Sequence, residues 1–169
     1  MNRRDLEFKG SMFENYLAAT ISKHLPKCKI ILNKEVFSHF LDDTTQIDVI
    51  IISDNNVYII EAKNWSSYIK GSYNDKYWKG KGDSQAMSVF NPVNQNAIHI
   101  RALIKALYDK GHKSLTHFKS LVVVPDSCQL LTNCSEVCTI SELGHIINTL
   151  DKAGESIDKE YYYRIITEI

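Results

Sequence analysis

Two short apolar segments separated by four polar residues predict a β-hairpin in the middle of the chain. The segments cover residues 47–52 and 57–62, are rich in Ile and Val, and flank polar residues 53–56. A symmetric turn with two central residues fixes which positions face each other across the hairpin. Asp48 is then opposite Glu61, so two carboxylates are expected side by side.

Both faces of this hairpin are predicted to be apolar, because side chains alternate between the two faces of a strand. One face carries Gln46, Asp48, Ile50, Ile59, Glu61 and Lys63, and the other carries Ile47, Val49, Ile51, Tyr58, Ile60 and Ala62. A hairpin that is apolar on both sides is expected at the centre of a sheet. Its carboxylates are therefore expected to be half buried.

The remaining pattern predicts an α/β protein. Asn91 and Pro92 are placed as the N-cap and first residue of a long helix that Gly111 ends. The other expected elements are helices at 11–25, 141–150 and 156–168, strands at 29–37, 68–73 and 118–124, a polar loop at 41–45, and irregular structure after residue 73. Without repeats or linkers, residues 1–169 are expected to form a single domain, with the helices in 141–168 packed on the rest.

Composition narrows the functional classes. The chain has 169 residues, of which 44% are hydrophobic, and 20 Lys and Arg balance 20 Asp and Glu. No global basic field therefore attracts nucleic acid, and any such affinity must be local. No segment has the apolar length of a signal peptide or membrane span, which predicts a cytoplasmic protein without a membrane partner.

Four cysteines leave two interpretations open. Cys28, Cys128, Cys134 and Cys138 contain no CxxC pair, which favours a reduced set of thiols. The alternative is a zinc site built from the last three cysteines and His117.

The opposed carboxylates of the hairpin require compensation. At about 5 Å they repel by roughly 3 kcal/mol at an effective dielectric of about 20. Either one carboxyl is protonated, or Lys63 neutralises part of the charge, or a divalent cation lies between Asp48 and Glu61. A salt-bridged cluster completed by Lys63 alone is the purely structural alternative. Hard cations such as Mg²⁺ prefer such oxygen ligands.

These residues fall within four ordered motifs. The motifs are GSMFE at 10–14, QID at 46–48, EAKNW at 61–65 and NPVNQNAIHI at 91–100. Asp48 followed by Glu61, Ala62 and Lys63 is the core pattern of PD-(D/E)XK nucleases. Together the motifs resemble the nuclease-related domain over roughly residues 10–124.

The resemblance implies a restriction-endonuclease-like mixed central sheet flanked by helices, and a Mg²⁺-dependent nuclease for which Mn²⁺ could substitute. Its substrate is expected to be DNA rather than RNA. Asp48, Glu61, the backbone carbonyl of Ala62 and Glu14 would hold the metal. Lys63 would orient the attacking water or stabilise negative charge that develops on the phosphate.

Two further residues have competing interpretations. Glu14 faces the core side of its helix as a third metal-site carboxylate would, but Ser11 and Glu14 also form a capping-box pattern. Gln95 either contacts a ligand or, like His99 one turn later, marks the polar boundary of an apolar helix face.

A basic and aromatic segment follows the hairpin. Lys70, Lys76, Lys79 and Lys81, together with Trp65, are candidates for phosphate contact and base stacking. The alternative is a solvated hairpin over a small aromatic cluster.

Two functional classes remain at this point. One is an enzyme that hydrolyses phosphodiester bonds, which the presence of Asp48, Glu61 and Lys63 together favours. The other is a catalytically silent module that binds nucleic acid or protein within a larger defence or repair system. A homodimer or a protein partner that supplies DNA affinity is compatible with either class.

Overall fold

The computed structural model describes residues 3–82, 86–113 and 115–169, with side chains from Met12 onward. Within these residues the helices are α1 (Arg3–His24), α2 (Pro92–Asp109), α3 (Ile140–Lys152) and α4 (Lys159–Thr167). The strands are β1 (Lys29–Ser38), β2 (Asp43–Ile52), β3 (Val57–Ala62), β4 (Tyr68–Lys70), β5 (Tyr77–Lys81), β6 (Met87–Phe90), β7 (Phe118–Val124), β8 (Gln129–Leu131) and β9 (Val137–Thr139).

A five-stranded mixed sheet in the order β1-β2-β3-β7-β9 forms the centre of the fold. The pairs β1-β2 and β2-β3 are antiparallel, and β3-β7 and β7-β9 are parallel. Strand β3 lies in the middle, as expected for a segment that is apolar on both faces. The predicted mixed α/β fold is therefore confirmed, with helices on both sides of the sheet.

The predicted hairpin register is confirmed for the four residue pairs next to the turn, from Ile52–Val57 to Val49–Ile60. Val49 pairs with Ile60 and Ile50 pairs with Ile59 across β2 and β3. The Ser53 N–H donates to the Asn56 carbonyl at 2.9 Å, which closes the symmetric four-residue turn.

Asp151 of α3 holds this turn in place. Its Oδ1 accepts hydrogen bonds from Ser53 Oγ at 2.9 Å, Asn56 Nδ2 at 2.9 Å and Tyr58 OH at 2.7 Å. The polar turn residues are thus bound to a helix that packs on the sheet. Because the turn sets the register, this contact also helps to position the residues at the far end of the hairpin.

Two separate apolar clusters cover the faces of the central sheet. On one face, α1 and α3 pack against β2 and β3 through residues that include Leu17, Ile147, Val49, Ile51 and Ile60. On the other face, α2 and α4 pack through residues that include Leu103, Ile166, Ile50, Ile52 and Ile59. The two C-terminal helices therefore lie on opposite faces of the sheet.

The strict alternation expected along β2 breaks at Asp48. Ile47 lies in the same cluster as Ile50, although alternation would place it with Val49. Asn33 of β1 stands between the pairs Leu32–Val49 and Lys34–Ile47, and its φ of 51° is left-handed. An asparagine tolerates this conformation better than most residues. The local change of direction accounts for the wrong prediction for Ile47, and it places Asp48 at a twist in the strand.

A second sheet, in the order β6-β5-β4-β8, was not predicted beyond β4. Its strands are three to five residues long and carry exposed polar side chains, so they lack the apolar runs that made the hairpin visible. The expectation of irregular structure after residue 73 is wrong for this reason.

Two tryptophans fill the inner side of this second sheet. Trp65 and Trp78 are buried in a cluster with Ile69 and residues of β7. A Cβ on Gly80 would lie 2.4 Å from the Trp65 ring, and a Cβ on Gly71 would lie 2.3 Å from the Trp78 ring. These glycines allow the rings to contact the backbone directly.

The capping residues of α2 were predicted correctly. Asn91 Oδ1 accepts the Val93 N–H at 3.0 Å, Pro92 opens the helix, and Gly111 follows its end with a φ of 90°. The side-chain amide of Asn91 also donates to the Asp75 carbonyl at 2.8 Å. The same residue therefore begins the helix and anchors the loop of the second sheet.

The zinc alternative is contradicted by where the cysteines lie. Cys138 belongs to the cluster beneath α1 and α3, whereas Cys128 and Cys134 belong to the cluster beneath the second sheet. All four cysteines are free thiols. None of the described helices has the length and apolar character needed to cross a membrane.

The same substitution at two glycines should have opposite effects on stability. Gly80→Ala forces a methyl group into the Trp65 ring and should lower the free energy of unfolding by about 1–3 kcal/mol. Gly144 lies inside α3, and a Cβ added there would be 4.0 Å from the nearest atom. Gly144→Ala should therefore raise the free energy of unfolding by about 0.5–1 kcal/mol. Urea unfolding measures both. A neutral Gly80→Ala would contradict the tight packing between Trp65 and β5.

Candidate active site

The carboxyl end of β3 brings together most of the residues singled out from the sequence. Glu61 and Ala62 end the strand and Lys63 follows it, while Asp48 lies on the neighbouring strand β2. On opposite sides of the sheet, α1 carries Glu14 and α2 carries Gln95.

Glu61 is the most deeply buried charged residue of the described site, with 1% of its surface exposed. Its Oε1 lies 2.5 Å from the Lys63 ammonium. Burial raises the pKa of Glu61, and the adjacent Lys63 opposes that rise. The ion pair therefore makes it possible to keep a carboxylate inside the protein.

The second oxygen of Glu61 lacks such a partner. Oε2 is buried 3.4 Å from His99 Nδ1, and neither atom has a hydrogen-bond partner within the described structure. Burial, followed by the charge of Lys63, lowers the pKa of His99 to about 4. His99 is thus neutral near pH 7, so this contact is not an ion pair. An unsatisfied buried carboxylate oxygen is costly unless another group binds it.

Asp48 is oriented by the backbone of the next strand. Its Oδ2 accepts the Ala62 N–H at 2.8 Å. Burial, followed by the negative charge of Glu61, raises the pKa of Asp48 to about 7, although the hydrogen bond from Ala62 and the charge of Lys63 act in the opposite direction. The carboxyl group is therefore poised between its protonated and ionised forms at neutral pH.

Glu14 lies close enough to Asp48 for their charges to interact. Burial raises the pKa of Glu14 first, and Asp48 raises it further. The capping-box alternative is wrong, because α1 begins at Arg3 and Ser11 is inside the helix. Phe13, next to Glu14, is buried in the core beneath α1. Glu14 is therefore presented toward the carboxylates from the interior of a continuous helix.

Gln95 and His99 both face this site from α2. Gln95 Oε1 accepts a hydrogen bond from the Lys63 ammonium at 3.2 Å. His99 is only 2% exposed, so the expectation of a polar boundary is wrong. The burial of His99 depends on how α2 packs on the sheet. Its position at the margin of the apolar helix face in the sequence does not predict that packing.

Sequence reasoning did not single out Asn96. This fully buried residue donates from Nδ2 to the Ile59 carbonyl at 2.7 Å and the Leu121 carbonyl at 3.1 Å. These carbonyls belong to β3 and β7, so Asn96 fixes α2 to both strands. A polar residue among the apolar positions of the helix was the available signal.

The chemistry of the site fits a hard divalent cation. No three His, Cys, Asp or Glu side chains of the described chain come together as a complete ligand set. Asp48 and Glu61 nevertheless present carboxylate oxygens from two neighbouring strands, Glu14 interacts electrostatically with Asp48, and Glu61 Oε2 is unpartnered. Oxygen ligands completed by water are typical of Mg²⁺ sites.

The predicted nucleic-acid contacts divide into two groups. Lys70, Lys76, Lys79 and Lys81 are exposed on or beside the second sheet. Trp65 is 6% exposed and packs against Gly80, so the prediction that it stacks on a base is wrong. The part of the sequence hypothesis that proposed an aromatic cluster beneath the hairpin is correct for this residue.

Asp48 should make the folded protein less stable as the pH rises from about 4 to about 7. The pKa of its carboxyl is about 7 when folded, above the ordinary value of 3.8, so unfolding releases a proton in this range. Asp48→Asn removes this titration. The free energy of unfolding of Asp48→Asn minus that of the parent should therefore become larger as the pH rises through this range. The total change is about 1.4 kcal/mol for each unit by which the folded pKa of Asp48 exceeds its ordinary value.

Urea unfolding across this pH range, in EDTA, measures the difference. Asp42→Asn is the matched control, because Asp42 is exposed and its φ of 52° suits asparagine. A difference between Asp48→Asn and the parent that does not change with pH would show that the Asp48 carboxyl is not perturbed.

Comparison with known proteins supports the same interpretation of the motifs. Residues 9–125, more than half of the chain, match the family model of the nuclease-related domain. An uncharacterized protein of Bacillus anthracis is 35% identical over 98 residues, which cover 57% of this chain and 46% of that protein. The match thus spans less than half of the relative's length, and no solved structure matches the chain. The chain belongs to the nuclease-related domain family.

Proposed function

We propose that this chain is a Mg²⁺-dependent nuclease that hydrolyses phosphodiester bonds in DNA. The observation that carries the proposal is the ammonium of Lys63, held by Glu61 Oε1 at 2.5 Å and Gln95 Oε1 at 3.2 Å beside Asp48. A buried acid, a second acid with a raised pKa and a fixed cation at one strand end are typical of catalytic sites.

In this proposal the carboxylates bind the metal ion. Asp48, Glu61 and the Ala62 carbonyl would hold Mg²⁺, with Glu14 as a further carboxylate. Bound there, Mg²⁺ would neutralise phosphate charge and lower the pKa of a water molecule. The unpartnered Glu61 Oε2 and the raised pKa of Asp48 both support this assignment, because a cation would satisfy the oxygen and favour the ionised carboxyl.

Lys63 has a different role. Its side chain retains 20% of its exposure, so the ammonium is accessible from solvent while its partners restrict its position. A fixed positive charge at this point can stabilise the negative charge that develops on a phosphate during attack by water. Gln95 acts as a positioning residue: its oxygen and Glu61 Oε1 accept two of the three N–H groups of the ammonium, which leaves one available.

The direct test is incubation of the purified chain with supercoiled DNA, linear duplex DNA, single-stranded DNA and RNA. Each substrate is combined with Mg²⁺, Mn²⁺ or EDTA. Cleavage of DNA that requires Mg²⁺ or Mn²⁺ is the expected result. A folded protein that is inert on every substrate would instead favour the binding module without turnover.

Lys63→Met should abolish most cleavage and leave DNA binding nearly unchanged. Methionine keeps much of the apolar stem but removes the ammonium, and a positioned charge contributes a factor on the order of 10² or more to the rate. One labelled duplex reports both quantities, with Ca²⁺ for binding and Mg²⁺ for cleavage. The control is Lys110→Met at an exposed position after α2. Cleavage by Lys63→Met at the parental rate would make Lys63 a purely structural partner of Glu61.

Mg²⁺ or Mn²⁺ should raise the Tm of the parent protein by mass action on the folded state. Asp48→Asn should lose this response, because it removes an ionisable ligand oxygen. In EDTA the same variant should equal or exceed the parent in Tm at pH 8, since repulsion with Glu61 is relieved. Asp42→Asn again serves as the control. A response to Mg²⁺ that persists in Asp48→Asn would place the ion elsewhere.

A further inference from the structure

The outer face of the second sheet combines lysines with exposed aromatic rings. The strand register defines it: Lys70 is opposite Lys79, Tyr68 is opposite Lys81, and Tyr77 is opposite Phe90. The intervening positions, Ile69 and Trp78, are buried against the core. All six residues of this platform, Tyr68, Lys70, Tyr77, Lys79, Lys81 and Phe90, therefore point away from the core.

The charges of the platform are not neutralised within it. Lys70 and Lys79 are directly opposed like charges, an arrangement that is unfavourable in a sheet. None of the other strand positions on this face in the described chain, which are Ser88, Gln129 and Leu131, is acidic. Asp75 in the adjacent loop, which accepts hydrogen bonds from the N–H and hydroxyl of Ser72, adds one carboxylate against the three lysines of the platform. The face is therefore complementary to a polyanion.

The aromatic side chains add a second kind of contact. Tyr77 is 57% exposed and Phe90 is 36% exposed, with their rings edge to face at 6.3 Å. The Lys76 ammonium lies over the Tyr77 ring, 5.5 Å from its centre. An exposed ring beside fixed positive charges is the combination that binds unpaired bases and their phosphates. Bases inside a duplex are already stacked on each other and cannot use such a ring.

Spacing also favours an extended single strand. Lys81, Lys79 and Tyr77 alternate along β5, so successive side chains on the face are about 7 Å apart. Lys63 and Tyr68 are five positions apart in the chain, which is at most about 18 Å. A strand of a few nucleotides on the platform could therefore reach the end of β3.

We propose that the outer face of the second sheet binds single-stranded DNA, with Tyr77 and Phe90 stacking on bases and Lys70, Lys79 and Lys81 contacting phosphates. This inference rests on the proposed function in that it names the form of DNA presented to the site. It replaces Trp65 with Tyr77 as the stacking residue.

Binding of a fluorescent oligothymidine, measured by anisotropy in EDTA, tests the phosphate contacts without any cleavage. The triple variant Lys70→Gln, Lys79→Gln, Lys81→Gln should bind on the order of 10²-fold more weakly at 0.1 M salt and reduce the salt slope by about 2, at ~0.7 per phosphate contact. The control Lys23→Gln, Lys113→Gln, Lys152→Gln removes the same charge from exposed positions elsewhere. Equal losses in the two triple variants would overturn the platform as a specific surface.

A matched set of tyrosine variants tests the stacking contact. Tyr77→Ala should weaken binding on the order of 10-fold. Tyr77→Phe should bind like the parent, because it keeps the ring. Tyr108→Ala, at a tyrosine that is 59% exposed on α2, should also leave binding unchanged. Thermal unfolding confirms that each variant is folded. Parental affinity in Tyr77→Ala would overturn the stacking role.

Competition by unlabelled duplex DNA and by RNA of the same length tests the choice of ligand. A duplex that competes as well as the single strand, or an RNA that competes better, would overturn the proposal. Because these measurements contain no divalent cation, they are independent of catalysis. Binding that depends on the platform in a protein that never cleaves would refute the proposed nuclease and leave the platform intact.

Discussion

The candidate site depends on keeping the Glu61 carboxylate inside the protein at the end of β3. Removing an ionised carboxylate from water costs several kcal/mol, which a nearby cation offsets only when its geometry is good. Lys63 supplies that cation, and Gln95 holds Lys63 from the other side. Asn96 fixes the helix that carries Gln95 to β3 and β7. The position of the ammonium is therefore determined by the packing of α2 on the central sheet.

The ion pair with Lys63 satisfies only one of the two carboxylate oxygens of Glu61. Glu61 Oε2 and His99 Nδ1 face each other at 3.4 Å without a hydrogen bond, and Asp48 has a pKa of about 7. Each feature costs stability in the protein alone. Both costs decrease if a cation binds between the carboxylates, because a cation contacts the free oxygen and favours ionised Asp48. The site thus holds an unfavourable arrangement that binding of the proposed cation would relieve.

The sequence was sufficient for the hairpin and the long helix, and insufficient for the second sheet. Uninterrupted Ile and Val runs, a polar turn, and the capping residues Asn91 and Pro92 are local signals, and each predicted its element correctly. Trp65 was misinterpreted because burial of an aromatic residue depends on distant contacts. Gly80, a glycine inside a short strand, was the one local sign that a ring approaches the backbone there. The predictions for His99 and Ile47 were wrong because they too depend on other parts of the fold. The burial of His99 depends on helix packing, and the sheet face of Ile47 depends on the left-handed conformation of Asn33.

The two sheets differ in their electrostatic environment, and the proposed nuclease would use both. The central sheet excludes water around a few charges, which strengthens their interactions but leaves little surface for a polyanion. The second sheet keeps its lysines exposed, where long-range attraction is weaker but a strand can be contacted at several points. Trp65, two residues after Lys63 and in contact with Gly80, joins the two regions through a rigid apolar contact. Since the whole chain has a formal net charge of zero, binding of a polyanion would depend on this local distribution rather than on overall charge.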